Sequence, residues 1–165
     1  MVEFAESGTT FRFDDADVYL IEKSAAFNRI NGAKPCECVA AVNGKVVFVE
    51  AKLSSPSPVS KENFGEFTEE ITRKFQDSLT FFNSVQQKRQ GQEALPDGLK
   101  GATLKDTDYE FVLIVKGHPR NWLQPLLDQI KKCMKRSLKL WGINDASVKV
   151  MNEVIARDRG IVATY

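Results

Sequence analysis

The sequence predicts an α/β fold in three layers, a mixed central sheet with helices on both faces. Three observations predict it. Two apolar runs, 36–42 and 45–53, are joined by Asn43-Gly44. Residues 62–88 carry an apolar residue every three or four positions, the period of one helix face. Residues 109–115 are a nearly unbroken apolar run, and a second helical period follows over 121–141. Strand and helix patterns that alternate along one chain make a layered α/β arrangement.

The elements follow in order. Residues 3–13 contain two short extended segments ending in Phe11-Arg12-Phe13. Asp14 or Asp15 is placed to cap a helix from about 15 to about 30, because a carboxylate accepts the free N–H groups of a first turn. That helix would bury Val18, Ile21 and Ala25. Asn43-Gly44 then marks a β-hairpin, since a type I′ turn needs positive φ at both central residues. Both faces of the hairpin are apolar, so it belongs inside a sheet covered on both sides. Residues 54–61, Ser-Ser-Pro-Ser-Pro-Val-Ser-Lys, form a loop. The helix over about 62–88 turns Phe64, Phe67, Ile71, Phe75, Leu79, Phe82 and Val85 inward. Residues 91–108 are a polar loop, and 109–115 a buried strand. The helix over about 121–141 turns Leu123, Leu127, Ile130, Met134 and Leu138 inward. A strand starts at Val148-Lys149-Val150-Met151, and the tail after it is expected to be extended. No domain boundary interrupts this pattern, so residues 1–165 are expected to form a single domain.

Composition excludes several classes. Lys+Arg numbers 23 against 22 Asp+Glu, a net charge of +1, which excludes a wholly basic coat but not a local basic face. Apolar content of 42% at that charge excludes disorder. No apolar run reaches the roughly 18–20 residues of a membrane helix. Met1-Val2-Glu3-Phe4 lacks the pattern of a secretory signal, so a soluble, cytoplasmic protein is expected, with no membrane partner. The three cysteines, Cys36, Cys38 and Cys133, are expected to be reduced thiols. With His118 the only histidine they make a poor zinc set. No motif pairs His118 with a nucleophile, and the ten glycines are too scattered for a phosphate loop.

One constellation points to chemistry. Counting outward from a two-residue turn at Asn43-Gly44 sets Glu37 opposite Glu50. Directly opposed residues share a face, about 4.5–5.5 Å apart at Cβ. Lys52 lies two residues beyond Glu50 and projects from that face as well. Two opposed carboxylates repel, and a divalent cation between them reverses that sign. Oxygen ligands of this kind suit Mg²⁺ or Mn²⁺. Lys52 would then orient or deprotonate a water, or stabilise charge on a phosphoryl oxygen. The alternative is that the strands end here and all three side chains reach solvent.

Glu50-Ala51-Lys52 after a hairpin, with Glu37 upstream, resembles the PD-(D/E)xK, or restriction-endonuclease-like, nuclease superfamily. The resemblance implies a core of helix, three strands, helix and strand over about residues 15–151. It implies Glu37 as the acid of the second core strand, and Glu50 and Lys52 as the (D/E)xK pair. Many members carry a glutamate on the first core helix, which matches Glu22. Two departures stand out. Glu37 replaces the usual aspartate, and Cys36 separates it from Pro35. The implied activity is metal-dependent hydrolysis of phosphodiester bonds in DNA. Glu37 and Glu50 would hold Mg²⁺ or Mn²⁺, Glu22 would assist, and Lys52 would act at the water and the phosphate. Relatives of this size often form homodimers. The superfamily also includes members without catalysis, so the alternative is an inactive module that binds protein or nucleic acid.

Lys131, Lys132, Lys135, Arg136 and Lys139 line the polar side of the 121–141 helix, where Lys131, Lys135 and Arg136 are candidate phosphate-backbone contacts. A solvated helix face is the alternative. Lys116, His118 and Arg120 follow the 109–115 strand, and Gln76, Gln86 and Gln87 lie on the long helix; these too are candidates for the site or for solvent.

Overall fold

The hairpin lies at the centre of the sheet. In the computed structural model, which describes residues 1–102 and 106–163, Cys38–Val42 (β4) pairs antiparallel with Lys45–Lys52 (β5). The turn has φ of 50° at Asn43 and 75° at Gly44, as a type I′ turn requires. Val18–Tyr19 (β3) adds antiparallel to β4. Tyr109–Val115 (β6) adds parallel to β5, and Val148–Met151 (β7) parallel to β6. The result is a five-stranded mixed sheet of order β3-β4-β5-β6-β7.

Parallel neighbours need crossovers, and two helices supply them. Lys61–Gln86 (α1) connects β5 to β6, and Arg120–Trp141 (α3) connects β6 to β7; the short helix Asp97–Lys100 (α2) lies in the segment between α1 and β6. Gly142, at φ 66°, ends α3 in a left-handed cap. Such crossovers are right-handed as a rule. Both step the same way across the sheet, so α1 and α3 share one face. They bury Ile71, Phe75, Phe82, Leu126, Ile130 and Met134 against Val46, Phe48, Phe111 and Leu113.

The other face corrects the expectation of a helical layer. It is covered by a separate hairpin, Val2–Glu6 (β1) with Thr9–Phe13 (β2), by the six-residue helix Glu153–Asp158 (α4), and by the tail after it. Phe11, Phe13, Ala156, Ile161 and Val162 pack there on Val47, Val49, Val112 and Ile114. The tail residues 153–158 are thus helical rather than extended, while Ala163 N–H donates to the Thr10 carbonyl.

The helix expected over 15–30 does not form. Its residues make β3 and two 3-10 turns, Ile21–Lys23 and Phe27–Arg29. Val18 faces the hairpin side of the sheet and Tyr19 the α1 side. Burial on alternate sides is a strand's period, not a helix's. Ile21 is buried as expected, but Ala25 is exposed.

The remaining boundaries agree to within a residue or two with those read from the sequence. The expected 91–108 loop contains α2, and its residues 103–105 lie outside the described residues. The three cysteines are free thiols. Among the described residues no helix is long and apolar enough to cross a membrane.

Candidate active site

Alternation along β5 sets Val46, Phe48, Glu50 and Lys52 in one row under α1. The row turns from apolar to charged at its carboxyl end, the end at which open α/β sheets bind ligands. Glu50 is fully buried there, between the start of β4 and Leu113 of β6. The β4–β5 register, Cys38 with Val49, brings Glu37 alongside at the mouth of β4. The Glu37 N–H donates to the Val49 carbonyl at 2.9 Å, anchoring that entry.

Lys74 from α1 completes the cluster. Its Nζ donates to Glu50 Oε1 at 2.6 Å and lies 3.7 Å from Glu37 Oε1, so one ammonium stands between the two carboxylates. Lys52 Nζ lies 3.3 Å from the same Glu50 oxygen and 3.4 Å from Glu70 Oε1. The hairpin geometry thus brings Glu37, Glu50 and Lys52 together, as expected. Lys74 and Glu70 were not anticipated. The available signal was helical spacing: Lys74 is three residues after Ile71 and four before Ser78, both buried.

Burial and like charge perturb the acids. Burial, then the Glu50 carboxylate, push Glu37 up to about 7, with Glu6 and Glu22 adding to the rise. Burial also raises Glu50, against the opposing pull of Lys74 and Lys52. Burial works to lower Lys74, but the Glu50 carboxylate overcomes it and the ammonium is held more firmly than usual. Glu50 Oε2 is buried with no hydrogen-bond partner. A buried carboxylate oxygen without a partner is costly, and a cation or a donor from a ligand would satisfy it.

Glu22 requires correction. It is on the 3-10 turn Ile21–Lys23, not on a core helix, and it is exposed. It reaches the site only through its charge on Glu37.

The other candidates lie elsewhere. Lys131, Lys135 and Arg136 are on α3, apart from the acids. Gln76 donates to Ser137 Oγ at 2.7 Å and ties α1 to α3. Gln86 and Gln87 fall at the end of α1. Lys116 follows β6 directly, its N–H donating to the Lys52 carbonyl at 2.9 Å, but its ammonium lies beside Gly8 and Leu53 on the hairpin side of the sheet, away from the acids. His118 is buried, with Nε2 3.1 Å from Ser55 Oγ and its ring edge-on to Trp122, so it fastens the loop after β5 to the start of α3. Arg120 is exposed at that start.

The donor set bears on a divalent cation. Two carboxylates share the Lys74 ammonium, and Glu50 Oε2 has no partner. Among the described residues no group of three or more His, Cys, Asp or Glu gathers for a metal. Mg²⁺ is commonly held by one or two carboxylates plus water and substrate phosphate, so Glu37 and Glu50 are the residues here that could hold Mg²⁺ or Mn²⁺. Lys74 would have to yield its place between the acids.

No protein-family model, curated protein or solved structure matches the chain.

Proposed function

We propose that the protein hydrolyses phosphodiester bonds in DNA, and that its sheet is a restriction-endonuclease-like core. The observation that carries this reading is the buried convergence of Glu37, Glu50 and Lys52 at the carboxyl end of β5, with Glu50 Oε2 lacking a partner. The strand sequence supports it as well: three antiparallel strands, a helix, then a parallel strand, with Glu50-Ala51-Lys52 on the third. The first core helix of that family is replaced here by two 3-10 turns.

In this reading Glu37 and Glu50 hold Mg²⁺ or Mn²⁺. When bound, the cation supplies charge neutralisation at a phosphoryl oxygen and acidifies a water. Glu37, raised to about 7, must give up its proton to become a ligand, so binding is favoured above neutral pH. Lys52, held by Glu70, presents its ammonium at the rim to position the water and offset charge on the phosphate.

One observation favours a second reading, an inactive module of the same fold that binds protein or nucleic acid. The Lys74 ammonium already occupies the position between both acids from within.

Melting with and without Mn²⁺ or Mg²⁺ separates the two. A ligand at about 100 times its Kd stabilises the folded state by ~2.7 kcal/mol, several degrees in Tm for a chain of this length. The nuclease reading expects that rise in the wild type, its absence in Glu50→Ala, and nicking of plasmid DNA by the wild type alone. No shift and no nicking in the wild type would overturn it and leave the inactive module.

A further inference from the structure

The charge on α3 is unevenly spread. Lys131, Lys132, Lys135, Arg136 and Lys139 lie within nine residues of a protein whose net charge is +1. Among the described residues none of the five side chains has an ion-pair or hydrogen-bond partner, whereas Lys45, Lys52 and Lys74 are all paired. Asp128, the nearest acid on the same helix, accepts from Gln124 instead. Lysines 131, 135 and 139 stand four apart, and so do Lys132 and Arg136. Like charges at that spacing destabilise a helix. The helix dipole favours cations only in the last turn, which accounts for Lys139 and not for the others.

The cations also line a concavity. Lys131, Lys132, Lys135 and Lys139 form one wall of a groove of about 490 Å³, closed on the other side by Ile143, Asn144 and Asp145. Asp145 is the one acid in that lining. From Lys131 to Lys139 the helix rises about 12 Å. That matches the axial rise of three to four phosphates along one strand of a duplex. Four of the five cations are lysines, which serve as point charges for phosphate without demanding a fixed fork geometry.

We propose that this face of α3 is a docking surface for the phosphate backbone of a nucleic-acid duplex. An anionic membrane is the less suitable occupant. Surface helices that enter membranes present a free apolar face. The apolar face of α3, with Leu126, Ile130, Met134 and Leu138, is spent in the core, and among the described residues Leu140 is the only exposed large apolar side chain beside the cations. Binding here does not depend on whether the acidic site cleaves.

The test is fluorescence anisotropy with a labelled 20-base-pair DNA duplex and the full chain, in EDTA so that no metal-dependent cleavage intervenes. Neutralising about four phosphates predicts that wild-type affinity falls ~10²-fold between 50 and 200 mM salt. The triple variant Lys131→Gln/Lys135→Gln/Lys139→Gln should bind more weakly at 50 mM and lose only about fourfold over that range. The corresponding triple Lys→Arg variant should restore binding. If the glutamine triple does not fold, Lys135→Glu alone should weaken binding about five- to tenfold at 50 mM. No binding by the wild type at 50 mM overturns the proposal. So does an unchanged salt dependence in a folded variant, or tighter binding to phosphatidylserine vesicles than to DNA. Because metal is absent throughout, failure of the nuclease reading leaves these outcomes untouched.

Discussion

Phe48 and Glu50 are neighbours in one row of β5, and both are fully buried. Phe48 stacks on Phe111 with ring centroids 5.2 Å apart and meets Phe82 edge-on at 5.7 Å. Glu50 meets Lys74 and Lys52, and one of its oxygens meets no donor. The same backbone geometry, two residues apart, creates an environment that stabilises one side chain through burial and must be compensated for the other. Alternation along a strand decides where a side chain points; the helix packed above decides what that position costs or gains.

The largest effect belongs to the apolar half of the row. Phe48→Ala should destabilise the fold by ~3–5 kcal/mol, the usual range for a buried phenylalanine with well-packed neighbours, read from urea unfolding. A loss under about 1 kcal/mol would mean that the centre of the sheet is less tightly packed than the ring contacts indicate.

The charged half should respond less and with a pH signature. Lys74→Met removes the ammonium between the acids and leaves Glu50 buried without its closest counter-ion. Breaking one partner from a buried pair costs about 3 kcal/mol or more. That cost should appear at pH 8 and shrink at pH 5, where Glu37 has taken up a proton. A loss that does not vary with pH would point to packing of the lysine stem instead.

The smallest effect isolates Glu37. Its folded pKa of about 7 lies above the ordinary 4.5, so the folded state holds a proton that the unfolded chain releases. This contribution is fully present below pH 4.5 and is lost as pH rises through about 7. Without added metal, wild-type stability should therefore decline across that window. Glu37→Gln should flatten the decline and be more stable by ~1–3 kcal/mol above pH 7, as a urea series at several pH values would show. Parallel profiles for the two proteins would remove Glu37 from the buried cluster.

Much of this contrast was legible before any coordinates. Asn43-Gly44 set the hairpin register, and the register set Glu37 and Glu50 together with Lys52. Lys74 was not, because a lysine one residue before an inward phenylalanine reads as the solvated flank of α1. Only the depth at which α1 sits on the sheet turns that flank inward. The segment 15–30 was misread for a related reason. A capping aspartate and apolar residues at helical spacing are local signals, while β3 exists through pairing with β4, some twenty residues further along. Which face each crossover helix would occupy was hidden as well, because it depends on strand order, and no short stretch of sequence encodes that order.

The roof over the hairpin side of the sheet is assembled from the two outlying parts of the sequence, β1–β2 and residues 153–163, tied by the bond from Ala163 to Thr10. During synthesis the first of these leaves the ribosome before any of the sheet it covers, and the second only after β7 is made. Val47, Val49, Val112 and Ile114 can therefore be enclosed only after residues 153–163 are made. Until then a nascent chain carries a half-covered apolar surface, the kind of exposure that calls for chaperone attention or rapid completion.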